Sequence, residues 1–214
     1  MLHYKLLKNY AGFELIGDET ALKALYELLH RIDDLCPLLN DRDGPLLALA
    51  FDLRKAFTGQ RQITKSPPLW PSVGPVYGVG QLWPVILFQA RFARLALAYV
   101  PHTPLDQRLI LTLESVVRRA VQEAFGGHAA HILDVWSSLD AIHPDAFGRL
   151  DPLGAIYCAL PPCHRKSSLA NLLLGFSPLF QHLHDAESRR AGSISLMPDQ
   201  IDLWRGQEWA NPLS

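Results

Sequence analysis

The residues with the clearest potential for chemistry are His128, His131 and Asp134, which stand three positions apart. On an α-helix this spacing places all three side chains on one face. Imidazole and carboxylate groups are ligands of zinc and non-haem iron. Further ligands would have to come from elsewhere in the chain, and the candidates are His143, His182 and His184. The pattern lacks the glutamate and the four-residue spacing of a His-Glu-x-x-His metalloprotease helix, so partly buried polar histidines are the alternative interpretation.

A second cluster, Arg165, Lys166 and Ser167, lies at the start of a predicted helix. Free backbone amides at a helix N-terminus, two fixed positive charges and a hydroxyl group suit a phosphate or a carboxylate. No glycine-rich loop precedes the cluster, and the chain contains neither a P-loop nor a dinucleotide-binding fingerprint. A basic helix terminus in contact with solvent is the alternative.

The most unusual stretch is 58–81, which is rich in proline and glycine and connects two predicted helices. A connection of this length without regular structure is uncommon in a compact domain and is often functional. Trp70 and Tyr77 lie in it, and Trp83 follows directly. Aromatic side chains on a proline-stiffened loop can dock into a partner, and they can also cover the core of their own chain.

The elements that must position these residues begin with an N-terminal β-hairpin, predicted from two short extended runs on either side of Asn9. Asp18 then caps a helix that ends at Cys36-Pro37. The buried stripe of this helix is predicted to contain Leu22, Leu25, Leu29 and Ile32.

More helices follow along the chain, and their predicted limits are Pro45 and Gly59, 82–100, 128–139 and 167–174. The clearest one begins after Thr103 as N-cap, with Pro104 and Asp106 in its first turn. Its predicted buried stripe comprises Leu105, Leu109, Leu113, Val117, Val121 and Ala124.

Two late strands are predicted, at 155–160 and at 193–196. The fold class is therefore α+β and predominantly helical, with about six helices. Its small sheet would combine the N-terminal hairpin with one or two late strands. The length of 214 residues favours a single globular domain spanning 1–214.

Stretch 82–100 is apolar enough to resemble a membrane span, but it contains Arg91 and Arg94. Two arginines on one helical face would be costly inside a bilayer, so we expect a helix of a water-soluble protein. Formal charges are absent from 66–90 and from 167–184, and we expect any recognition surface to involve these segments.

The net charge of −1 provides no broad attraction for nucleic acid. The three cysteines argue against a disulfide framework, and no signal peptide is recognisable, which favours the cytoplasm. The main hypothesis is a non-catalytic protein that binds itself or another protein through 58–81, with no membrane or nucleic-acid partner and no cofactor. The alternative is a metal-dependent enzyme, a hydrolase, that holds zinc or iron at His128, His131 and Asp134.

Overall fold

The structure is a computed structural model that describes residues 1–39, 44–61, 63–64, 74–177, 179 and 198–214. It has an α+β fold that is predominantly helical, as the sequence predicts. The helices are α1 (Glu19–Leu35), α2 (Leu47–Lys55), α3 (Trp83–Ala96), α4 (Pro104–Phe125), α5 (Ala129–Ser138), α6 (Pro144–Phe147), α7 (Leu150–Ala159), α8 (Pro162–Leu174) and a short C-terminal helix, Pro198–Leu203. No helix in the described parts of the chain is long and apolar enough to cross a membrane.

A small antiparallel sheet lies at the N-terminal side of the fold. Its strands are β1 (Leu2–Leu6), β2 (Gly12–Asp18), β3 (Ile63–Thr64) and β4 (Val76–Leu82). The order across the sheet is β1-β2-β4-β3. The N-terminal hairpin is therefore confirmed, and β2 forms the centre of the sheet together with β4.

Helix α3 lies at the centre of the helical layer and packs against helices on several sides. It is buried nearly all around, including Phe88 and Phe92, and contacts α4, α5, α7 and α8. Two hydrogen bonds fix its neighbours to it: Trp136 Nε1 donates to the Leu87 carbonyl over 2.7 Å, and Gln89 Nε2 donates to the Pro45 carbonyl over 2.9 Å. Because α3 has almost no solvent-facing side, most of its residues must be apolar.

Aromatic rings connect the sheet to the helices. Trp83, at the start of α3, lies 5.3 Å from Phe13 of β2 and 5.2 Å from Phe125 of α4, measured between ring centroids. On the other side of α3, the rings of Phe88 and Phe176 stack at 4.5 Å. These contacts make the sheet and the helices parts of one continuous hydrophobic core.

The predicted strand at 155–160 is wrong, because 155–159 belong to helix α7 and Leu160 is its C-cap. A short apolar run fits a buried strand and a buried helix equally well. The helix begins earlier, at Leu150, and Pro152 in its first turn costs no hydrogen bond there. The other predicted strand, 193–196, lies outside the described residues.

Segment 58–81 was predicted to lack regular structure, but it contains β3 and β4. Because β4 contains Gly78 and Gly80, its sequence resembles a loop. The side chain of Glu14 on the neighbouring strand β2 lies over Gly78, where a Cβ atom would collide with it. The additional strands of the sheet thus come from this segment.

The capping and burial patterns of α1 and α4 are largely confirmed. Leu22, Leu25, Leu29 and Ile32 are all buried, and Asp18 accepts a hydrogen bond from the Ala21 amide. Thr103 and Asp106 form the reciprocal capping box of α4. The predicted stripe of α4 is displaced, however, since Leu105 is 67% exposed. The side chains that α4 buries are Ile110, Leu113, Val116, Val117, Ala120, Val121 and Phe125.

The capping box makes the stability of the fold depend on pH. Burial alone raises the pKa of Asp106, but hydrogen bonds from Thr103 and the nearby Arg31 guanidinium outweigh it and hold the pKa below its usual value. Arg31 Nη2 lies 2.6 Å from Asp106 Oδ1. A carboxylate with a lowered folded-state pKa stabilises the protein above the unfolded-state pKa of about 3.9, and this contribution is lost as the pH falls through the folded-state pKa.

We therefore expect Asp106→Asn to lower the free energy of unfolding at pH 7 by about 1 kcal/mol. The variant should also lose less of this free energy than the wild type as the pH falls from 5 to 3. Urea denaturation followed by circular dichroism over this pH range measures both effects. Leu105→Ala, a change at the exposed neighbour, should keep the pH profile of the wild type. An unchanged profile in Asp106→Asn would contradict this role of the capping box.

Candidate functional site

The histidine pattern that suggested a metal site lies on the exposed surface at the start of α5. His128, His131 and Asp134 are all solvent-exposed. Among the residues that the structure describes, no three His, Cys, Asp or Glu side chains come together as a group able to hold a metal ion. His143 instead caps α6 by accepting a hydrogen bond from the Asp145 amide. His182 and His184 lie outside the described residues.

The fold places the three residues of the basic cluster at the start of α8 in different environments. Arg165 is only 2% exposed, whereas Ser167 is exposed and donates its hydroxyl to the His164 carbonyl. Lys166 lies with its ammonium group 5.8 Å from the centroid of the Tyr10 ring. The three residues therefore do not form one anion-binding surface, because Arg165 points into the protein.

Arg165 binds backbone carbonyl groups from three parts of the chain. Its guanidinium donates to the carbonyls of Asn9, Cys158 and Pro212. Nearby, the Tyr157 hydroxyl donates to the Tyr10 carbonyl over 2.5 Å, and burial raises the pKa of that hydroxyl. Arg165 thus joins the hairpin turn, α7 and the C-terminal segment.

The hairpin turn needs this support because Asn9 and Tyr10 have φ angles of 56° and 52°, in the left-handed region. Residues other than glycine adopt such angles at an energetic cost. The carbonyl groups of these two residues are the ones that Arg165 and Tyr157 bind. The buried donors therefore fix a turn that is intrinsically strained.

The aromatic residues of the predicted binding loop lie in different places. Tyr77 is only 9% exposed in β4, and Trp83 is fully buried in the core. Trp83 is therefore not available to a partner molecule. Trp70 lies outside the described residues.

An open groove of about 390 Å³ lies between α1 and α2, beside the beginning of 58–81. Its lining residues are Tyr26, His30, Leu47, Ala48, Phe51 and Arg54. Two aromatic contacts shape one side of it: Tyr26 meets His30 edge to face at 4.7 Å and Phe57 at 5.7 Å between centroids.

Phe51 is the most conspicuous residue of this groove because its side chain is 46% exposed. Two cations lie over its ring: Lys55 Nζ at 4.2 Å and Arg54 Cζ at 5.2 Å from the centroid. The adjacent Asp52 is paired with Arg61. The groove therefore has an aromatic surface and a basic rim.

The groove contains no arrangement typical of a catalytic centre. It has no nucleophile next to a base among its lining residues, and His30 makes its contact with an aromatic ring. Elsewhere, burial raises the pKa of the Cys158 thiol to about 11, which leaves it protonated and a poor nucleophile at neutral pH. Aromatic and arginine side chains on an open apolar surface are instead typical of interfaces.

Residues 2–191 match the model of a family described as a domain of unknown function (DUF6904). The chain belongs to this family. No curated protein and no solved structure matches the chain in the corresponding comparisons. The matched range includes the groove between α1 and α2, while the C-terminal segment that Arg165 holds lies beyond it.

Reasoning from the sequence missed Phe51 and Tyr26 as site residues, although a signal was present. The apolar stripe expected of α2 runs through Leu46, Leu49, Ala50, Leu53 and Phe57, and Phe51 falls outside it. An aromatic residue outside the buried stripe of an amphipathic helix is expected to be at least partly exposed. Tyr26 gave no such signal, because its role depends on α2 packing beside α1.

The buried position of Arg165 predicts a large effect on stability. Arg165→Met should lower the free energy of unfolding by about 3 kcal/mol, because it leaves buried carbonyl groups without a donor. Lys166→Met on the same helix should change it by less than about 0.5 kcal/mol. Urea unfolding followed by tryptophan fluorescence compares the two variants, and equal losses would contradict the structural role of Arg165.

Proposed function

We propose that this protein works by binding another polypeptide, and that the partner occupies the groove between α1 and α2. The observation that carries the proposal is Phe51, a large aromatic side chain that remains 46% exposed over an open apolar groove. Exposing such a ring has a cost in water that a partner would remove by covering it.

The charges around the groove indicate the chemistry of the partner. Arg54 and Lys55 lie over Phe51, and Asp52 is engaged by Arg61. A basic rim around an apolar centre favours a segment with one or two large apolar side chains flanked by carboxylates. An amphipathic helix with acidic flanks satisfies both requirements, because its apolar face fills the groove and its carboxylates meet the rim.

The beginning of 58–81 lies beside the groove. Phe57 contacts Tyr26, and the Thr58 hydroxyl donates to the Arg54 carbonyl over 2.8 Å. The segment therefore leaves the helix at one end of the groove. This placement supports the proposal that the proline-rich and aromatic segment contributes to the same interface.

We also propose that the protein acts in the cytoplasm and without a catalytic centre. Cys36, Cys158 and Cys163 are all free, which suits a reducing compartment. The groove requires neither a metal ion nor a cofactor for the proposed binding.

The test uses a fluorescein-labelled amphipathic peptide with leucine and tryptophan on one helical face and glutamate on the other, together with a twin that carries lysine instead of glutamate. We expect the acidic peptide to bind in fluorescence anisotropy and the basic twin to bind at least about tenfold more weakly. Phe51→Ala should weaken binding of the acidic peptide by about 30-fold, as expected for a central aromatic contact. Leu111→Ala is the matched control, since Leu111 is 48% exposed on α4.

Equal binding of the two peptides, or unchanged binding by Phe51→Ala, would overturn the proposal. Light scattering tests the other possible occupant, a second copy of this chain. A dimer that becomes a monomer in Phe51→Ala would assign the groove to self-association and would overturn the acidic partner.

A further inference from the structure

A second surface cavity, which shares no residue with the groove, lies where α3 ends and α4 begins. It has a volume of about 320 Å³. Its polar lining consists of Arg91, Arg94, His102 and Gln107. The cavity thus brings two arginines of α3 together with a histidine and a glutamine from the following turn and helix.

The two arginines lie on the same face of α3, because they are three residues apart. Arg91 is held in place, as its Nε donates to the Leu139 carbonyl over 3.2 Å. This hydrogen bond uses Nε and leaves the two terminal nitrogens of the guanidinium for other acceptors. Two like charges at this spacing repel each other, and an anion between them would relieve the repulsion.

His102 is also fixed by the protein. Its Nδ1 lies 2.9 Å from the Val100 carbonyl, which can only accept, so Nδ1 carries the proton. Its Nε2 lies 2.8 Å from Gln107 Nε2, so the imidazole and the amide are in hydrogen-bonding contact. The imidazole and the amide therefore contribute a hydrogen-bonded polar pair to the same cavity as the arginines.

The acidic groups near the cavity do not cancel its positive charge. Glu114 Oε2 lies 3.9 Å from Arg94 Nε, a long ion pair. Asp106, on the same turn of α4 as Gln107, is engaged by Thr103 and by Arg31. Arg94 is thus paired with a carboxylate, whereas Arg91 donates to a backbone carbonyl, and the two arginines with this one carboxylate leave a net positive charge.

The remaining lining is apolar and is supplied by Leu95, Leu97 and Ala98. A ligand that fits this cavity needs an anionic group for the arginines and an apolar part for this floor. Planar guanidinium groups pair with phosphate and carboxylate oxygens through two parallel hydrogen bonds.

We propose that this cavity is a binding site for a small organic anion, in which a phosphate or carboxylate group lies between Arg91 and Arg94 and an apolar part rests on Leu95 and Leu97. The observation that carries it is that one cavity combines Arg91, held by the Leu139 carbonyl, with Arg94, His102 and an apolar floor. This site is separate from the proposed polypeptide groove, and it can be tested whether or not that proposal holds.

The experiment titrates the 15N-labelled protein with phenyl phosphate at low ionic strength and follows two-dimensional NMR spectra. We expect saturable shifts of the backbone amides of 95–98 and of the arginine Nε–H signals of Arg91 and Arg94. Benzoate should produce the same pattern, since a carboxylate has the same pairing chemistry. Inorganic phosphate tests the charged group alone, phenol the apolar part alone, and benzylamine the opposite charge.

Arg94→Gln should weaken binding of phenyl phosphate by about tenfold or more, because it removes a charged hydrogen-bonding partner. Arg108→Gln is the matched control, because Arg108 is an exposed arginine of α4 that does not line the cavity. Phenol or benzylamine binding as tightly as phenyl phosphate would overturn the proposal. So would an equal loss in the two variants, or inorganic phosphate binding as tightly as phenyl phosphate.

Discussion

The burial of α3 on nearly all sides is the constraint on which the rest of the structure depends. A helix of 14 residues that is buried on nearly all sides can satisfy its buried polar groups only within the protein, and Gln89 Nε2 donates to the Pro45 carbonyl. The surrounding helices and the sheet cover α3, and Trp136 donates directly to its backbone. Charged side chains at the buried positions of α3 would have to be desolvated, which explains why 83–90 contains none. The helical part of the charge-free segment is therefore largely interior.

The same arrangement determines which residues are left for recognition. Trp83 and Tyr77 are buried in the core, whereas Phe51 of α2 is exposed in the groove between α1 and α2. Only at its C-terminal end does α3 present polar side chains, Arg91 and Arg94, beside a cavity. The proposed groove and the proposed anion site thus both lie where helices leave the central packing.

Arg165 shows how an ionic residue can serve the fold. Its sequence context resembles an anion site, yet its guanidinium binds backbone carbonyls of the hairpin turn, α7 and the C-terminal segment. A guanidinium satisfies several carbonyls at once because it carries five N–H donors in a planar fork. This side chain therefore links a segment beyond the family match to the domain itself.

Local signals in the sequence were sufficient for the α+β class, the N-terminal hairpin, the stripe of α1 and the capping box of Thr103 and Asp106, because each depends on neighbours within a few residues. They were insufficient for 155–160, where an apolar run fits either a strand or a helix, and for β4, whose glycines resemble a loop. Tertiary structure alone decided that Arg165 turns inward and that Tyr26 of α1 lies in the same groove as Phe51 of α2. The physical reason is that the burial of a side chain depends on which elements pack together. Those elements are brought together by contacts between residues that are far apart in the chain.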